Sequence, residues 1–230
     1  PACDGEDYID TCAVIPRAPA GLRQVVDGDG AELCDVESDL FDPAEGHYRT
    51  KPQGSSRCPP PDWLTEAAPS AVIRAAWSEA ALHVHVRVDK ATAIAPGEAD
   101  ALFSGDAVEI FVGNTEAPTG PLPDDHAAYV IVAPPRDPGG AGASASGVVT
   151  RVASASRRDD AGYDVELEIP WSSLGGEPPA EGRTVLWNVG IDVAGDEIEP
   201  GGQRARFQSF LHYEEDGKAR FCRYDDPEDD

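Results

Sequence analysis

The sequence predicts an all-β protein, an antiparallel β-sandwich of the immunoglobulin-like or jelly-roll-like kind with long loops and little helix. Three observations lead to this prediction. Apolar and polar residues alternate with a period of two in many short segments from about residue 70 onward. Turn-rich stretches separate these segments, and no stretch of twelve residues carries a convincing helical stripe. A βαβ rhythm is also missing, which favours antiparallel pairing.

The domain organisation follows from where this alternation begins and ends. Residues 1–22 are predicted to be a Cys-containing N-terminal tail, and residues 23–224 to be the sandwich domain. Residues 42–62 form a Pro/Gly-rich insertion, predicted to be a long loop because prolines and glycines are disfavoured inside strands. Residues 225–230 are an acidic C-terminal tail.

The strands from residue 81 onward define the predicted core. Its members are the inward positions of four alternating segments: Val84, Val86, Val108, Ile110, Val165, Leu167, Val189 and Ile191. HAAYVIVA is predicted to be a strand buried on both faces, and the Gly/Ala/Ser run at 139–147 a flexible loop tip. His83 and His85 fall on one face of their strand, as a metal site would require, although a polar outer face is the simpler interpretation.

The charge balance excludes several classes of partner. The chain has 18 Lys+Arg and 43 Asp+Glu, a formal net charge of −25. Nucleic acids need a basic stripe, so no nucleic-acid partner is expected, and anionic membrane surfaces are disfavoured as well. No apolar run is long enough for a membrane-spanning segment. A monomer is expected.

The cysteines predict an oxidising compartment. Five occur, at positions 3, 12, 34, 58 and 222, four of them in the polar first quarter. Such clustering predicts disulfides and an extracellular, cell-surface or periplasmic location, with the signal peptide outside the sequence shown. Cys34 is expected at the start of the first core strand, within reach of Cys58 or Cys222, and Cys3 and Cys12 are close enough for a small loop. The alternative is five reduced cysteines in a cytosolic protein.

An acidic turn makes calcium a candidate cofactor. The sequence Asp27-Gly28-Asp29-Gly30 offers two carboxylates, Asp27 and Asp29, and calcium takes six to eight oxygen ligands. The turn does not follow the spacing of an EF-hand loop, and an ordinary turn is the alternative. Scarce Lys with abundant Arg, Ala, Gly and Pro suggests a GC-rich bacterial genome.

The sequence carries no recognisable catalytic motif. It has no nucleophile elbow, zinc-protease helix motif or phosphate-binding loop. Alternating Asp and Glu on strands are typical of a solvated sheet face. The chain is therefore predicted not to be an enzyme.

Five segments in order carry a family resemblance: VVDGDGAELCD, AAWSEAALHVHVRVDK, SGDAVEIFVGN, AGYDVELEIPWSSLG and TVLWNVGIDVAGDE. Together they resemble the family 9 carbohydrate-binding modules, part of a wider group of sugar- and haem-binding β-sandwiches. The resemblance implies a non-catalytic domain that binds oligo- or polysaccharide. The haem-binding relatives use an axial Met and this chain has none, so no haem is expected.

The resemblance also implies a binding site. Phe103, three residues before Asp106, stands where the family has a sugar-stacking Trp, and Tyr213 is the nearest aromatic to a second Trp in the last loop. Val130 stands where the family has an arginine. A flat ring covers the apolar face of a pyranose, and the hydroxyls need polar partners. The candidate set is Phe103, Glu109, Asn188, Arg206, Gln208 and Tyr213.

A second hypothesis keeps the fold and removes the sugar. In it the chain is a structural or adhesion β-sandwich whose sugar site has been lost, and Phe103 caps the edge of the core. Asp106 and Glu109 also have a structural alternative, in which they hold a turn or a cation.

Overall fold

The computed structural model describes the chain in segments. The described residues are 15–20, 22, 24–36, 38–41, 50–52, 69–90, 94–97, 101–113, 127–146, 152–174, 180, 185–198 and 204–210. Helical structure within them is limited to single 3-10 turns at Ala31–Leu33, Leu102–Ser104 and Trp171–Ser173. No helix in these ranges is long and apolar enough to cross a membrane.

Strands make up most of the described chain. In chain order they are β1 (Ser38–Phe41), β2 (Thr50–Pro52), β3 (Ser70–Trp77), β4 (Ala81–Asp89), β5 (Ala107–Gly113), β6 (Ala127–Ala133), β7 (Ala143–Ser146), β8 (Ala153–Arg158), β9 (Gly162–Pro170), β10 (Leu186–Ile198) and β11 (Arg204–Phe210). They form a five-stranded sheet in the order β1-β3-β4-β9-β8 and a six-stranded sheet in the order β2-β11-β10-β5-β6-β7. Every pairing among these strands is antiparallel, which confirms the predicted all-β sandwich.

The hydrophobic core lies between the two sheets. All eight predicted core residues are buried there: Val84, Val86, Val108, Ile110, Val165, Leu167, Val189 and Ile191. Tyr163 and Trp171 are buried in the same cluster, and Trp187 packs against it. Removing such a side chain fully from water contributes about 1.5–3 kcal/mol. The period-two pattern therefore identifies the surfaces that hold the sheets together.

Two strands form where the sequence pattern predicts loops. β7 lies in the Gly/Ala/Ser run predicted to be a loop tip, and β2 lies within the predicted loop at 42–62. Both stand at the edges of the six-stranded sheet. A strand at an edge pairs on one side only, so it tolerates small residues and a proline that weaken a central strand. The loop prediction is therefore wrong at these two places.

The end of the predicted N-terminal tail packs against β3. The backbone N–H of Trp77 donates to the carbonyl of Pro16 (3.0 Å), and that of Ala18 donates to the carbonyl of Trp77 (2.7 Å). These bonds make a parallel bridge between Arg17 and Trp77. Residues 15–20 are thus part of the folded sandwich.

Cys34 was predicted to start the first core strand, and this prediction is wrong. It stands instead at the C-terminal end of the 3-10 turn at Ala31–Leu33. Its thiol is free and exposed. Cys3, Cys12, Cys58 and Cys222 lie outside the described residues. The disulfides therefore stay a prediction.

Candidate functional site

The outer face of the six-stranded sheet carries most of the described candidate residues. β5 alternates core residues with Glu109 and Phe111, which point away from the core. The antiparallel register aligns the outward positions of β6, β5 and β10 in rows. These rows are Ile131, Glu109 and Gly190, then Tyr129, Phe111 and Asn188. Side chains from three strands thus meet on one surface.

Hydrogen bonds fix the polar groups on this face. The Tyr129 hydroxyl donates to Glu109 Oε1 at 2.9 Å, and Glu109 is almost fully buried. Burial raises the pKa of Tyr129, and the carboxylate of Glu109 raises it further. The rings of Phe111 and Tyr129 lie 5.0 Å apart between centroids. Glu109 is therefore held by a tyrosine of the neighbouring strand, and the role of holding a turn or a cation stays a prediction.

Asn188 makes a local contact. Its Oδ1 accepts a hydrogen bond from the backbone N–H of Val189 at 2.9 Å. The side chain is only partly buried. It therefore lies at the surface of the row that it shares with Phe111.

Phe103 stands on a 3-10 turn that lies over the same face. Leu102, its neighbour in the turn, is buried in a cluster with Ala107, Ile131 and Ala133. Phe103 itself is 45% exposed, and the other large apolar side chain that is exposed in the described ranges is Val25, at 58%. One residue of the turn thus anchors it while the next presents a ring to solvent. A Phe that capped the core edge would be covered, so exposure favours the role of a platform.

Three further candidates are placed less completely. Arg206 and Gln208 lie in β11, where the register sets them opposite Ala194 and Asp192 of β10. Their side chains are outside the described part of the structure, and Tyr213 lies outside it altogether. The backbone of β11 therefore extends the outer face by one strand beyond Asn188 of β10.

Val130 is not on the outer face of the six-stranded sheet. Its side chain lies in the core between the sheets, paired in register with Ile110. The outward positions of β6 are Tyr129 and Ile131, so Val130 contributes no side chain to the outer face. An outward arginine would have to stand one residue to either side, because side chains alternate along a strand.

Asp106 has the structural role that its alternative describes. It is completely buried, and Lys90 Nζ donates to its two carboxylate oxygens at 2.8 and 2.9 Å. Burial raises the pKa of Asp106, and Lys90 and the backbone donors of Ala95 and Ala194 oppose that shift. Sequence reasoning missed Lys90, because nothing in the pattern marks a lysine after a strand as buried.

The two candidate calcium ligands, Asp27 and Asp29, lie beside the five-stranded sheet and not on the outer face of the six-stranded sheet. Arg157 contacts both of them: Nη2 lies 3.1 Å from Asp27 Oδ2, and Nη1 lies 3.1 Å from Asp29 Oδ2. A backbone hydrogen bond from Ala31 is the main cause that lowers the pKa of Asp29. Among the described residues, no group of three or more His, Cys, Asp or Glu side chains is arranged to hold a metal ion. The calcium site stays a prediction.

His83 and His85 on the predicted polar face of β4 are buried rather than solvated, while Asp89 at the end of that face is exposed. Residues 24–30, which we call the strap, cover His83 and His85, and neither histidine is more than slightly exposed. His83 Nδ1 lies 2.6 Å from Gln24 Oε1, and His85 Nε2 lies 3.0 Å from Asp164 Oδ1. Burial lowers the pKa of His83. These residues hold the strap, so the expectation of a plain polar surface is wrong.

The described strands and this outer face define an antiparallel β-sandwich with an exposed aromatic ring above a partly polar sheet. The family model described as "Carbohydrate family 9 binding domain-like" matches residues 53–228, more than half of the chain. The chain belongs to that family, which confirms the resemblance. No curated protein matches the chain.

Solved structures show the same fold. The chain is similar to a family 9 carbohydrate-binding module from Caldicellulosiruptor kristjanssonii in complex with cellotriose, with 17% identity and a TM-score of 0.55 over 81% of this chain and 79% of that one. It is equally similar to the module in complex with glucose, with 16% identity and a TM-score of 0.55 over 85% and 84% of the two chains. At this identity the likeness concerns the fold.

Proposed function

We propose that this chain binds carbohydrate without catalysis, at the outer face of the six-stranded sheet. The observation that carries the proposal is the exposed ring of Phe103 above a face with buried, oriented polar groups. An aromatic ring stacks on the apolar face of a pyranose, and the half-buried Asn188 supplies an acceptor for its hydroxyls. Glu109 is only 4% exposed, and we propose that it acts by orienting the Tyr129 hydroxyl towards the ligand. The related modules in complex with cellotriose and glucose support β-linked glucose as the first ligand to test.

The expected affinity is weak. Phe offers less stacking area than Trp, and the resemblance places Val130, without a hydrogen-bonding group, where the family has an arginine. We expect a dissociation constant of about 0.1–1 mM, near −4 to −5.5 kcal/mol. We also propose that Arg206, Gln208 and Tyr213 complete the site, as the resemblance implies.

The test is a calorimetric titration of the parent chain, Phe103→Ala and Val25→Ala with glucose, cellotriose and a panel of other oligosaccharides. Val25 is the matched control, because it is an exposed apolar residue on the opposite face. We expect Phe103→Ala to lose binding while its unfolding free energy stays within about 0.5 kcal/mol of the parent, and Val25→Ala to bind normally.

Two outcomes would refute this assignment. If Phe103→Ala costs about 3–5 kcal/mol of stability, the ring belongs to the core. If the parent binds none of the sugars, the structural or adhesion sandwich is the remaining function.

We further propose the cellular setting and a metal as parts of the same function. The cysteine pattern and the family support a monomeric bacterial module outside the cytoplasm. Calcium at Asp27 and Asp29 would stabilise the strap by mass action. Ca²⁺ should then raise the melting midpoint more than Mg²⁺ at the same concentration, and equal shifts from both ions would indicate screening of the −25 charge alone.

A further inference from the structure

The turn that carries Phe103 is too short to fix its own orientation. Within it, the backbone N–H of Ser104 donates to the carbonyl of Ala101 (2.8 Å) and that of Gly105 donates to Leu102 (3.3 Å). A single 3-10 turn has poor hydrogen-bond geometry and little stability by itself. The direction of the ring therefore depends on the contacts that hold the turn.

Asp106 provides one such contact directly after the turn. Its carboxylate accepts hydrogen bonds from the backbone N–H groups of Ala95 and Ala194, the second at 3.1 Å. Its own N–H donates to the carbonyl of Ala95 at 2.9 Å. A Cβ on Gly105 would come within 2.2 Å of Gly97 N, so the turn sits directly against the segment 94–97. Asp106 thus ties the turn to that segment and to β10.

Lys90 ties the same carboxylate to the other sheet. Besides its two contacts with Asp106, its Nζ donates to the carbonyl of Ala194 at 3.1 Å, and its backbone N–H donates to Ala161 at 3.0 Å. Lys90 follows β4 of the five-stranded sheet, and Asp106 precedes β5 of the six-stranded sheet. The pair therefore stands at the two ends of the connection that carries Phe103, and it is almost completely buried.

A buried ion pair of this kind is weak evidence for stability. Taking both charges out of water offsets most of their attraction, and a well-packed apolar pair often serves as well. The pair does impose one arrangement, because its donors and acceptors are satisfied in a single geometry. That geometry includes Ala95, which lies against the turn.

We propose that Lys90 and Asp106 are positioning residues for carbohydrate binding, which act by holding Phe103 over the sheet. This inference rests on the proposed function. Neither residue is expected to touch the sugar, since both side chains are almost completely buried. Lys90 and Asp106 therefore change the affinity only by changing the position of the Phe103 ring.

The test compares the parent, the double variant Lys90→Met/Asp106→Asn and the control Arg87→Met/Asp159→Asn. The test variant removes both charges, so no lone buried charge is left behind. The control removes an ion pair of the five-stranded sheet, in which Arg87 Nη1 lies 3.1 Å from Asp159 Oδ2. We expect a loss of at least tenfold in affinity for cellotriose or glucose in the test variant, and a change of less than twofold in the control.

A spectroscopic signal separates positioning from general destabilisation. 4-Fluorophenylalanine placed at position 103 should give one sharp ¹⁹F resonance in the parent and in the control. In the test variant, well below its melting midpoint, we expect a broadened or split resonance that moves towards the free amino acid. If the double variant does not fold, Lys90→Arg keeps the charge but cannot reproduce the three contacts of the ammonium, and an intermediate change is expected.

The outcomes distinguish the two proposals. A parent that binds sugar, together with a test variant of unchanged affinity and unchanged resonance, would overturn the positioning role and leave the proposed function standing. A parent that binds no sugar would overturn the proposed function. In that case the ¹⁹F resonance still tests whether Lys90 and Asp106 position Phe103. An unchanged signal in the test variant refutes that role, and a broadened signal supports it as a property of the fold.

Discussion

The outer faces of the two sheets start from the same sequence pattern and end in different states. Both come from strands that alternate apolar and polar residues. On the five-stranded sheet the polar side chains His83, His85 and Glu166 are sealed under the strap. On the six-stranded sheet a short turn covers Ile131 at one end of the face, Glu109 is also buried, and Phe103 of the turn is exposed.

The difference lies in which partners the rest of the chain supplies. Glu166 accepts hydrogen bonds from Gln24 Nε2 and from the backbone N–H groups of Asp27 and Gly28, at 2.8, 3.0 and 2.9 Å. A carboxylate that accepts three hydrogen bonds from the chain and has no exposed surface cannot be reached by a ligand. Both sheets therefore bury polar residues that alternation places outward, and the difference is that the turn over the six-stranded sheet presents a ring to solvent.

Removing the carboxylate under the strap should have the largest effect. Glu166→Ala leaves the N–H groups of Asp27 and Gly28 without acceptors, and each orphaned donor costs about 1–3 kcal/mol. We expect a loss of about 3 kcal/mol or more, measured by urea unfolding. Glu168→Ala, in which a half-exposed carboxylate of the same strand is removed, is the matched control and should lose much less. Similar losses in both variants would mean that the strap does not depend on Glu166.

Gly30→Ala should be the next largest change. Gly30 has a φ of +59°, and a Cβ there would come within 2.3 Å of the His85 ring. Gly139 has a φ of +79° with no atom within 4 Å of the corresponding Cβ, so Gly139→Ala isolates the backbone cost, about 1–2 kcal/mol. The difference between the two variants in urea midpoint measures the fit of the strap over His85. Equal destabilisation would show that the strap moves aside freely.

Phe103→Trp should increase the affinity for sugar. A larger ring adds stacking area where the face is open, and we expect affinity for the bound sugar to rise by about three- to tenfold, or ~0.7–1.4 kcal/mol. Val25→Trp puts the same ring on the strap and should add no affinity. A gain in both variants would show non-specific stacking on any exposed indole.

The smallest expected effect is the pH dependence of the sealed face. Burial holds the pKa of His83 below its usual 6.5, and Glu168 and Glu166 only partly oppose this. The unfolded chain therefore takes up a proton on this residue before the folded chain does, so its contribution is present above pH 6.5 and is lost as pH falls from there towards the folded pKa. The unfolding free energy of the parent should fall relative to His83→Gln between pH 7.5 and 5.5. Parallel curves over that range would contradict the burial of a neutral His83.

Period-two alternation was enough to predict the core, because a residue's inward direction depends only on its own strand. The fate of the outward residues depends on segments far away in the chain. Glu166 is buried by donors from residues 24–28, about 140 positions earlier, and alternation carries no information on such a distance. The pattern also missed Lys90 and the edge strand β7. Lys90 follows the last alternating position of β4, and β7 consists of small residues that pair with β6 through the backbone.

The candidate site residues come from the resemblance and stay a prediction. Phe103 was named from its spacing before Asp106, and its exposure agrees with that role. Val130, which the resemblance aligns with an arginine, lies in the core, and a shift of one position moves a strand side chain from one face to the other. Family patterns therefore locate strands more safely than they assign single side chains to a face.

Hydrogen exchange with and without sugar tests the contrast between the two faces most directly. With saturating cellotriose or glucose, we predict added protection at 101–113 and 186–194 on the six-stranded sheet, and no change at 24–33 and 81–89. The strap amides of Asp27 and Gly28 should already be protected without sugar, because Glu166 holds them. Sugar-dependent protection confined to the strap and β4 would contradict the account, since it would place the ligand on the face that the chain seals.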